Sequence, residues 1–108
     1  THIGAHVMMD NLCHIAHNVT IGARSIIAGQ CGISGSVTVG QGVAMGGQVG
    51  IAPHVKIGDG AVLTARTGVT KDIEDGDQVA GFPAISKRQF WREQAALRRL
   101  GTPKASKS

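Results

Sequence analysis

Apolar residues recur along this chain at every sixth position. Ile3, Met9, Ile15, Ile21, Ile27, Ile33, Val39, Met45, Ile51, Ile57, Leu63 and Val69 follow one another at that interval without a slip. The next position is nearly always small, as in Gly4, Ala16, Gly22, Ala28, Ser34, Gly40, Gly46, Ala52 and Gly58. Four residues after each apolar residue stands a second small or β-branched one, among them Cys13, Val19, Ser25, Cys31, Val37 and Val43. A helix would repeat at about 3.6 residues and a half-buried strand at about 2. A period of six fits neither alone. It predicts short strands joined by tight turns, each six-residue unit forming one side of a triangular prism with its apolar residue on the axis. The small residue after it is expected to let the backbone turn, with glycine tolerating unusual dihedrals there. Three units make a coil of 18 residues, so residues 1–74 are expected to hold about four coils, roughly 19 Å of prism at the usual strand spacing.

After Glu74 the pattern lapses. EDGDQVAGFPA reads as turns, so 75–85 is expected to be a loop, with Pro83 breaking any element. Ser86-Lys87-Arg88-Gln89 has the form of a capping box, Ser capping and Gln reaching back. It opens a predicted α-helix over 86–101 that Gly101 ends. Phe90, Trp91, Gln94, Leu97 and Leu100 would give this helix a partial apolar face, and Arg88, Arg92, Arg98 and Arg99 a basic one. Residues 102–108 are expected to be disordered.

Composition sharpens the picture. With 108 residues there is room for one domain at most. Sixteen glycines, one Trp, two Phe and no Tyr exclude a core of large side chains, so small aliphatic residues in regular order must hold the fold. Of the net charge of +4, residues 1–85 carry four basic and six acidic side chains, and residues 86–108 carry seven basic and one acidic. The positive charge belongs to the tail, which argues against a general attraction to nucleic acid. No run approaches the roughly 18 apolar residues that would span a membrane, and no signal-peptide pattern opens the chain. Two cysteines in that setting point to a reducing, cytoplasmic location. Cys13 and Cys31, 18 residues apart, should stack as small core thiols; a disulfide between them is sterically conceivable. The chain opens at Thr1 already inside a repeat, and is expected to be the C-terminal part of a longer protein.

The repeat resembles that of the hexapeptide-repeat family, which implies an all-β left-handed parallel β-helix. In that frame His17 is the third residue of its unit and His14 the sixth, so both should point outward near corners. His54 lies 37 residues after His17, two coils plus one residue, on the same side and about 10 Å along the axis. Hexapeptide-repeat carbonic anhydrases hold zinc with a pattern that includes histidines five apart. Here His2–His6 are four apart and His14–His17 three, so no metal is expected. Acyl transfer fits better. An amine or hydroxyl attacking a thioester must lose its proton, work suited to a neutral histidine. The oxyanion then needs a donor, often a backbone N–H. One coil beyond His17 stands Gly35, whose N–H carries no obstructing side chain.

IAHNVTIG followed by IAGQCGISGSVTVG is similar to the acyltransferases of lipid A synthesis, and most to the UDP-3-O-(3-hydroxyacyl)glucosamine N-acyltransferases. Ala16-His17-Asn18-Val19, Gly35-Ser36, Gly46-Gly47, His54, Asp10-Asn11, Gly81-Phe82-Pro83 and Trp91-Arg92 stand in the matching order. The resemblance implies a homotrimer with active sites in clefts between prisms. It implies transfer of a 3-hydroxyacyl group from the phosphopantetheine thioester of acyl carrier protein to the 2-amino group of a UDP-linked, O-acylated glucosamine, with no further cofactor. It assigns His17 as general base, the Gly35 N–H as oxyanion donor, and His54, Asp10 and Asn18 as supporting or substrate-binding residues. Asp10 stands seven residues before His17, on another side of the prism, and would meet it only across a subunit boundary; otherwise it is a solvated corner carboxylate. Arg88, Arg92, Arg98 and Arg99 would dock the acidic carrier protein, or form a solvated face. HIAH is similar to the sister UDP-N-acetylglucosamine O-acyltransferase, which typically has Asp and His where this chain has Asn18 and Ser36. The N-terminal nucleotide-binding domain of the N-acyltransferases is not in this sequence, which leaves a non-catalytic trimeric scaffold as a further alternative. No residue is identified as the stop that sets acyl-chain length.

Overall fold

The computed structural model describes residues 1–102, and the expected disorder of the last residues falls outside that range. The six-residue units wind as a parallel β-helix. β1 (His2–Ile3), β2 (Met8–Met9) and β3 (His14–Ile15) form the first coil. β4 (Thr20–Ile21), β5 (Ile26–Ile27) and β6 (Gly32–Ile33) form the second, and β7 (Thr38–Val39), β8 (Ala44–Met45) and β9 (Gly50–Ile51) the third. β10 (Lys56–Ile57), β11 (Val62–Leu63) and β12 (Gly68–Val69) complete the fourth. Strands 18 residues apart pair in parallel, Ile3 on Ile21, Ile21 on Val39 and Val39 on Ile57, and so on around three faces. The six-residue period therefore becomes vertical stacking.

Two inward columns per face fill the axis. The apolar strand residues from Ile21 onward and the residues four positions later, from Val19 onward, are buried. Ile3 and Met9 in the first coil keep 43% and 39% of their surface, because a coil covers them on one side only. Polar side chains in the second column donate to backbone carbonyls, Thr67 Oγ1 to Thr64 O at 2.6 Å within its own coil and the others to the next coil. Ser25 Oγ donates to Gly40 O at 2.9 Å, and the Cys13 and Cys31 thiols donate to Ala28 O and Gly46 O at 3.2 Å. Both cysteines are free thiols, Cys31 buried and Cys13 half-buried.

Between strands the chain turns over two residues, and the second of these adopts positive φ. His6, Leu12, Asn18, Arg24, Gln30, Ser36, Gln48, His54 and Arg66 all lie near +60°, as do Gly42 and Gly60. A non-glycine residue there is strained by about 1 kcal/mol or more. Stacking offsets the strain, since the N–H of the second turn residue donates to the carbonyl of the first turn residue one coil earlier. Arg24 N to Ala5 O, Ser36 N to His17 O and Gln48 N to Gly29 O measure 2.9, 2.9 and 3.0 Å.

This corrects the expected role of the small residue after each strand. Its φ is not positive at Gly4, Gly22, Gly40, Gly46 or Gly58; the constraint is close approach. A Cβ on Gly22 would lie 2.6 Å from the Gly40 carbonyl carbon, and one on Gly46 2.5 Å from Ala65 N. Glycine lets successive coils stack backbone to backbone.

The repeat also runs past residue 74, and the expected loop over 75–85 is interrupted by two short strands. Between Val69 and Ile73 it skips two residues, then resumes at Val79. Ile73 bridges Ile57 and Val79 pairs with Leu63, each 16 residues on rather than 18. β13 (Gln78–Ala80) thereby extends the second face, and β14 (Ile85–Ser86) returns antiparallel beside it. The helix α1 (Lys87–Gly101) packs on β13 and β14. Ser86 caps it by accepting from Gln89 N at 3.1 Å, but the Gln89 side chain donates forward to Glu93 Oε2 at 2.9 Å, so only half of the expected capping box forms. Gly101 is the last helical residue, and Thr102 caps the end, its Oγ1 donating to Arg98 O at 2.7 Å.

Candidate active site

The prism has three corners, and the candidate residues divide among them. Each corner is a stack of two-residue turns. In the third corner, between the third and first faces, the first turn residues are His17, Gly35 and Pro53, and the second are Asn18, Ser36 and His54. Ser36 N donates to His17 O at 2.9 Å, and His54 N to Gly35 O at 3.1 Å. His17, Asn18, Gly35 and His54 thus share one hydrogen-bonded column over three coils.

The His17 imidazole lies against the Gly35 backbone. A Cβ on Gly35 would stand 2.7 Å from His17 Nε2 and 2.8 Å from Cε1. A side chain here would displace the ring, which occupies that space. His17 and His54 are exposed and Gly35 is half-buried, so a ligand can reach all three. Among the described residues neither the imidazole of His17 nor the Gly35 N–H has a hydrogen-bond partner, although the flanking Ser34 N–H and Ser36 N–H both donate along the axis. Below Gly35, Pro53 brings no acceptor to that N–H.

The first corner shows what such an N–H can hold. Gln41 N donates to Asp59 Oδ1 of the next coil, and Asp59 N to Asp75 Oδ1, both at 2.8 Å. The N–H of a first turn residue therefore has room for an anionic oxygen on the side of the following coil. Gly35 has the same backbone setting with the oxygen left out.

The other candidates lie elsewhere. Asp10 is in the second corner, between the second and third faces, where its Oδ1 accepts from Asn11 N at 2.7 Å. It does not meet His17 within the chain. His14 lies within β3, on the flat of the third face rather than near a corner, paired with Gly32. A groove of about 390 Å³ runs from it past Gly32, Ser34 and Gly35 to Gly50. Arg88, Arg92, Arg98 and Arg99 are on α1, all exposed. Arg98 and Arg99 stand in its last turn, favourable against the helix dipole, and line a groove of about 460 Å³ with Trp91, Gln94 and Ala95. Trp91, Leu97 and Leu100 are exposed, while half-buried Phe90 lies against Gly81. Among the described residues no three His, Cys, Asp or Glu side chains group as metal ligands, and no helix is long and apolar enough to cross a membrane.

Sequence reasoning missed a ladder in the second corner. Arg66 Nε donates to Gln48 Oε1 at 2.9 Å, and Gln48 Nε2 to Gln30 Oε1 at 2.8 Å. The signal was present as polar residues at positions 30, 48 and 66, a coil apart at the same place in the unit.

Residues 1–35 match the family described as bacterial transferase hexapeptide (six repeats). No curated protein matches the chain in sequence. Among solved structures, a serine acetyltransferase of Neisseria gonorrhoeae in complex with serine is similar with a TM-score of 0.75 at 24% identity, over 78% of this chain and 38% of that one. A hexapeptide-repeat-containing acetyltransferase of Vibrio cholerae is similar with a TM-score of 0.65 at 21% identity, over 79% of this chain and 71% of that one. An N-acyltransferase from Bacillus cereus, in complex with a dTDP-linked amino sugar and coenzyme A, gives 0.61 at 16% identity, over 91% and 67%. The chain spans about two fifths of the serine acetyltransferase. These likenesses are of fold, and the family match is consistent with a left-handed β-helix.

Proposed function

We propose that the third corner is an acyl-transfer site with His17 as general base and the Gly35 N–H as oxyanion donor. The observation that carries this reading is the pairing of an unpartnered N–H with an imidazole seated on the same glycine. The first corner supports it, because there the equivalent N–H binds a carboxylate oxygen at 2.8 Å. In the reaction an amine attacks the thioester carbonyl carbon. The C–N bond forms, the carbonyl oxygen becomes an oxyanion facing the Gly35 N–H, and His17 takes the amine proton. Collapse breaks the C–S bond, and His17 returns the proton to the departing thiolate.

The sequence resemblance directs the substrate assignment. The acyl group is a 3-hydroxyacyl chain delivered on acyl carrier protein, and the acceptor is the 2-amino group of UDP-3-O-(3-hydroxyacyl)glucosamine. Asn18 and His54 border the acceptor in this reading. Asp10, held in the second corner, orients His17 of a neighbouring copy in a homotrimer, and the exposed arginines of α1 meet the acidic carrier protein.

The test is an assay with 3-hydroxyacyl carrier protein, offering both the amine acceptor and the hydroxyl of UDP-N-acetylglucosamine. His17→Ala is expected to lower amide formation by at least roughly a hundredfold. Ester formation instead would move the assignment to the O-acyltransferase. Activity untouched by the substitution would remove His17 as the base. Absence of both activities, with no thermal stabilisation by the UDP-sugar, would favour a scaffold.

A further inference from the structure

The second corner repeats the geometry of the other two with a different outcome. Its first turn residues are Asn11, Gly29, Gly47 and Ala65. The Asn11 N–H is already taken by Asp10. Among the described residues the N–H groups of Gly29 and Gly47 have no acceptor. By the stacking rule of the first corner, the Gly47 N–H faces the place where residue 65 would present a carboxylate, as Asp59 does to Gln41. Residue 65 is alanine, so no such oxygen is supplied.

Arg66 is the next residue of that turn, its backbone N–H donating to Gly47 O at 2.8 Å. Its Nε is engaged by Gln48 Oε1 at 2.9 Å, and Gln48 is anchored in turn on Gln30. The ladder fixes the guanidinium and leaves its two terminal nitrogens for a ligand. Gly29, Gln30, Gly47, Gln48 and Arg66 line one open groove of about 480 Å³. Its acidic member is Asp10, at the opposite end and occupied by Asn11. A backbone N–H and a fixed guanidinium on one groove are a donor set for a multivalent oxyanion, since guanidinium pairs bidentately with phosphate.

We propose that the Gly47 N–H and the Arg66 guanidinium form a binding site for a phosphate ester. The site goes beyond the acyl-transfer reading, although both substrates of that reaction carry phosphate: the diphosphate of a UDP-sugar and the phosphodiester of a phosphopantetheine arm.

The structure supplies its own blocking variant. Gly46 holds the same position relative to Ala65 as Gly40 holds to Asp59. A Cβ on Gly46 would meet Ala65 N at 2.5 Å, and one on Gly40 would meet Asp59 N at 2.8 Å. An aspartate at 65 therefore has the room that Asp59 uses. Inorganic pyrophosphate is titrated into the protein at constant ionic strength while amide resonances are followed. Movement of the Gly47 N–H resonance is expected, saturating with pyrophosphate. Ala65→Asp should abolish it and leave Gly47 shifted as if occupied, and Arg66→Gln should weaken binding by roughly tenfold. A Gly47 resonance that pyrophosphate leaves still, or a titration alike in all three proteins, overturns the proposal. Competition then separates the sources. Displacement by UDP assigns the acceptor, displacement by 4′-phosphopantetheine assigns the donor arm, and displacement by neither overturns the site as one for a phosphate ester. Because the readout is an amide resonance and not turnover, the acyl-transfer reading can fail while this one stands, and the reverse.

Discussion

The first and third corners share a backbone and differ in what fills one hydrogen-bonding position. Asp59 and Asp75 bring carboxylates up to the N–H groups of the coil before them, so the lower part of the first corner satisfies itself. The third corner has Pro53 where the first has Asp59, and the Gly35 N–H is left open beside the His17 imidazole. The β-helix supplies a column of outward N–H groups at every corner. The residue one coil on decides whether each is capped or left open. The third corner differs from the first by leaving out that cap.

The largest expected effect that sharpens this contrast is at Gly35. Gly35→Ala puts a Cβ 2.7 Å from His17 Nε2, and the ring must move. Misplacing a catalytic group by about an ångström costs up to roughly a hundredfold in rate, so turnover should fall on that scale. The melting temperature should hold, since the displaced atoms are the end of an exposed side chain. Loss of both together would mean that Gly35 serves stacking rather than chemistry.

Stacking itself is tested at Gly22, whose Cβ would strike the Gly40 carbonyl. Gly22→Ala should cost about 3 kcal/mol, the upper range for overpacking, read from the denaturant midpoint. Gly50→Ala is the matched control, because a Cβ there meets nothing within 4 Å and its change should stay under about 0.5 kcal/mol. Equal costs at the two would contradict the close-approach explanation.

Opening the first corner should cost less. Asp59→Ala uncaps the Gln41 N–H at a solvent-exposed edge, for about 1 kcal/mol. Gln41 amide exchange should then quicken while that of the third corner stays as it was.

The smallest effect concerns Cys31. Burial pushes its thiol up from the ordinary 9.0, and the neighbouring Cys13 thiol adds to the shift against the backbone N–H groups of Val49 and Gln48. A pKa raised in the folded state stabilises fully below the unfolded value and loses that contribution as pH rises through the folded one. Stability should therefore decline above pH 9.0 more steeply than in Cys31→Ser, whose hydroxyl takes the same kind of place as Ser25. Parallel slopes in the two proteins would show that Cys31 does not titrate with unfolding.

Much of this was legible in the pattern of residues. The apolar period placed the inward columns, and counting by 18 put Gly35 one coil from His17 and His54 a coil further on. The same counting separated Asp10 from them. Two features escaped it. Ile73 occurs where a second-column residue is due, yet serves as a strand residue under Ile57, because the chain shortens its last turn by two residues. The resumption at Ile73, Val79 and Ile85 was the available signal. Leu12, Arg24 and Gln30 take positive φ although nothing in their chemistry favours it, since the requirement comes from the turn stacked beside them.

The sequence by itself determined the repeat, its coil length and the order of residues up each corner, because two inward positions in every six residues set a fixed period along the chain. Tertiary structure decided which N–H groups are capped, where glycine is needed for close approach, and how α1 sits on β13 and β14. Those depend on distances between chain segments 16 or 18 residues apart, which exist only once the coils are stacked.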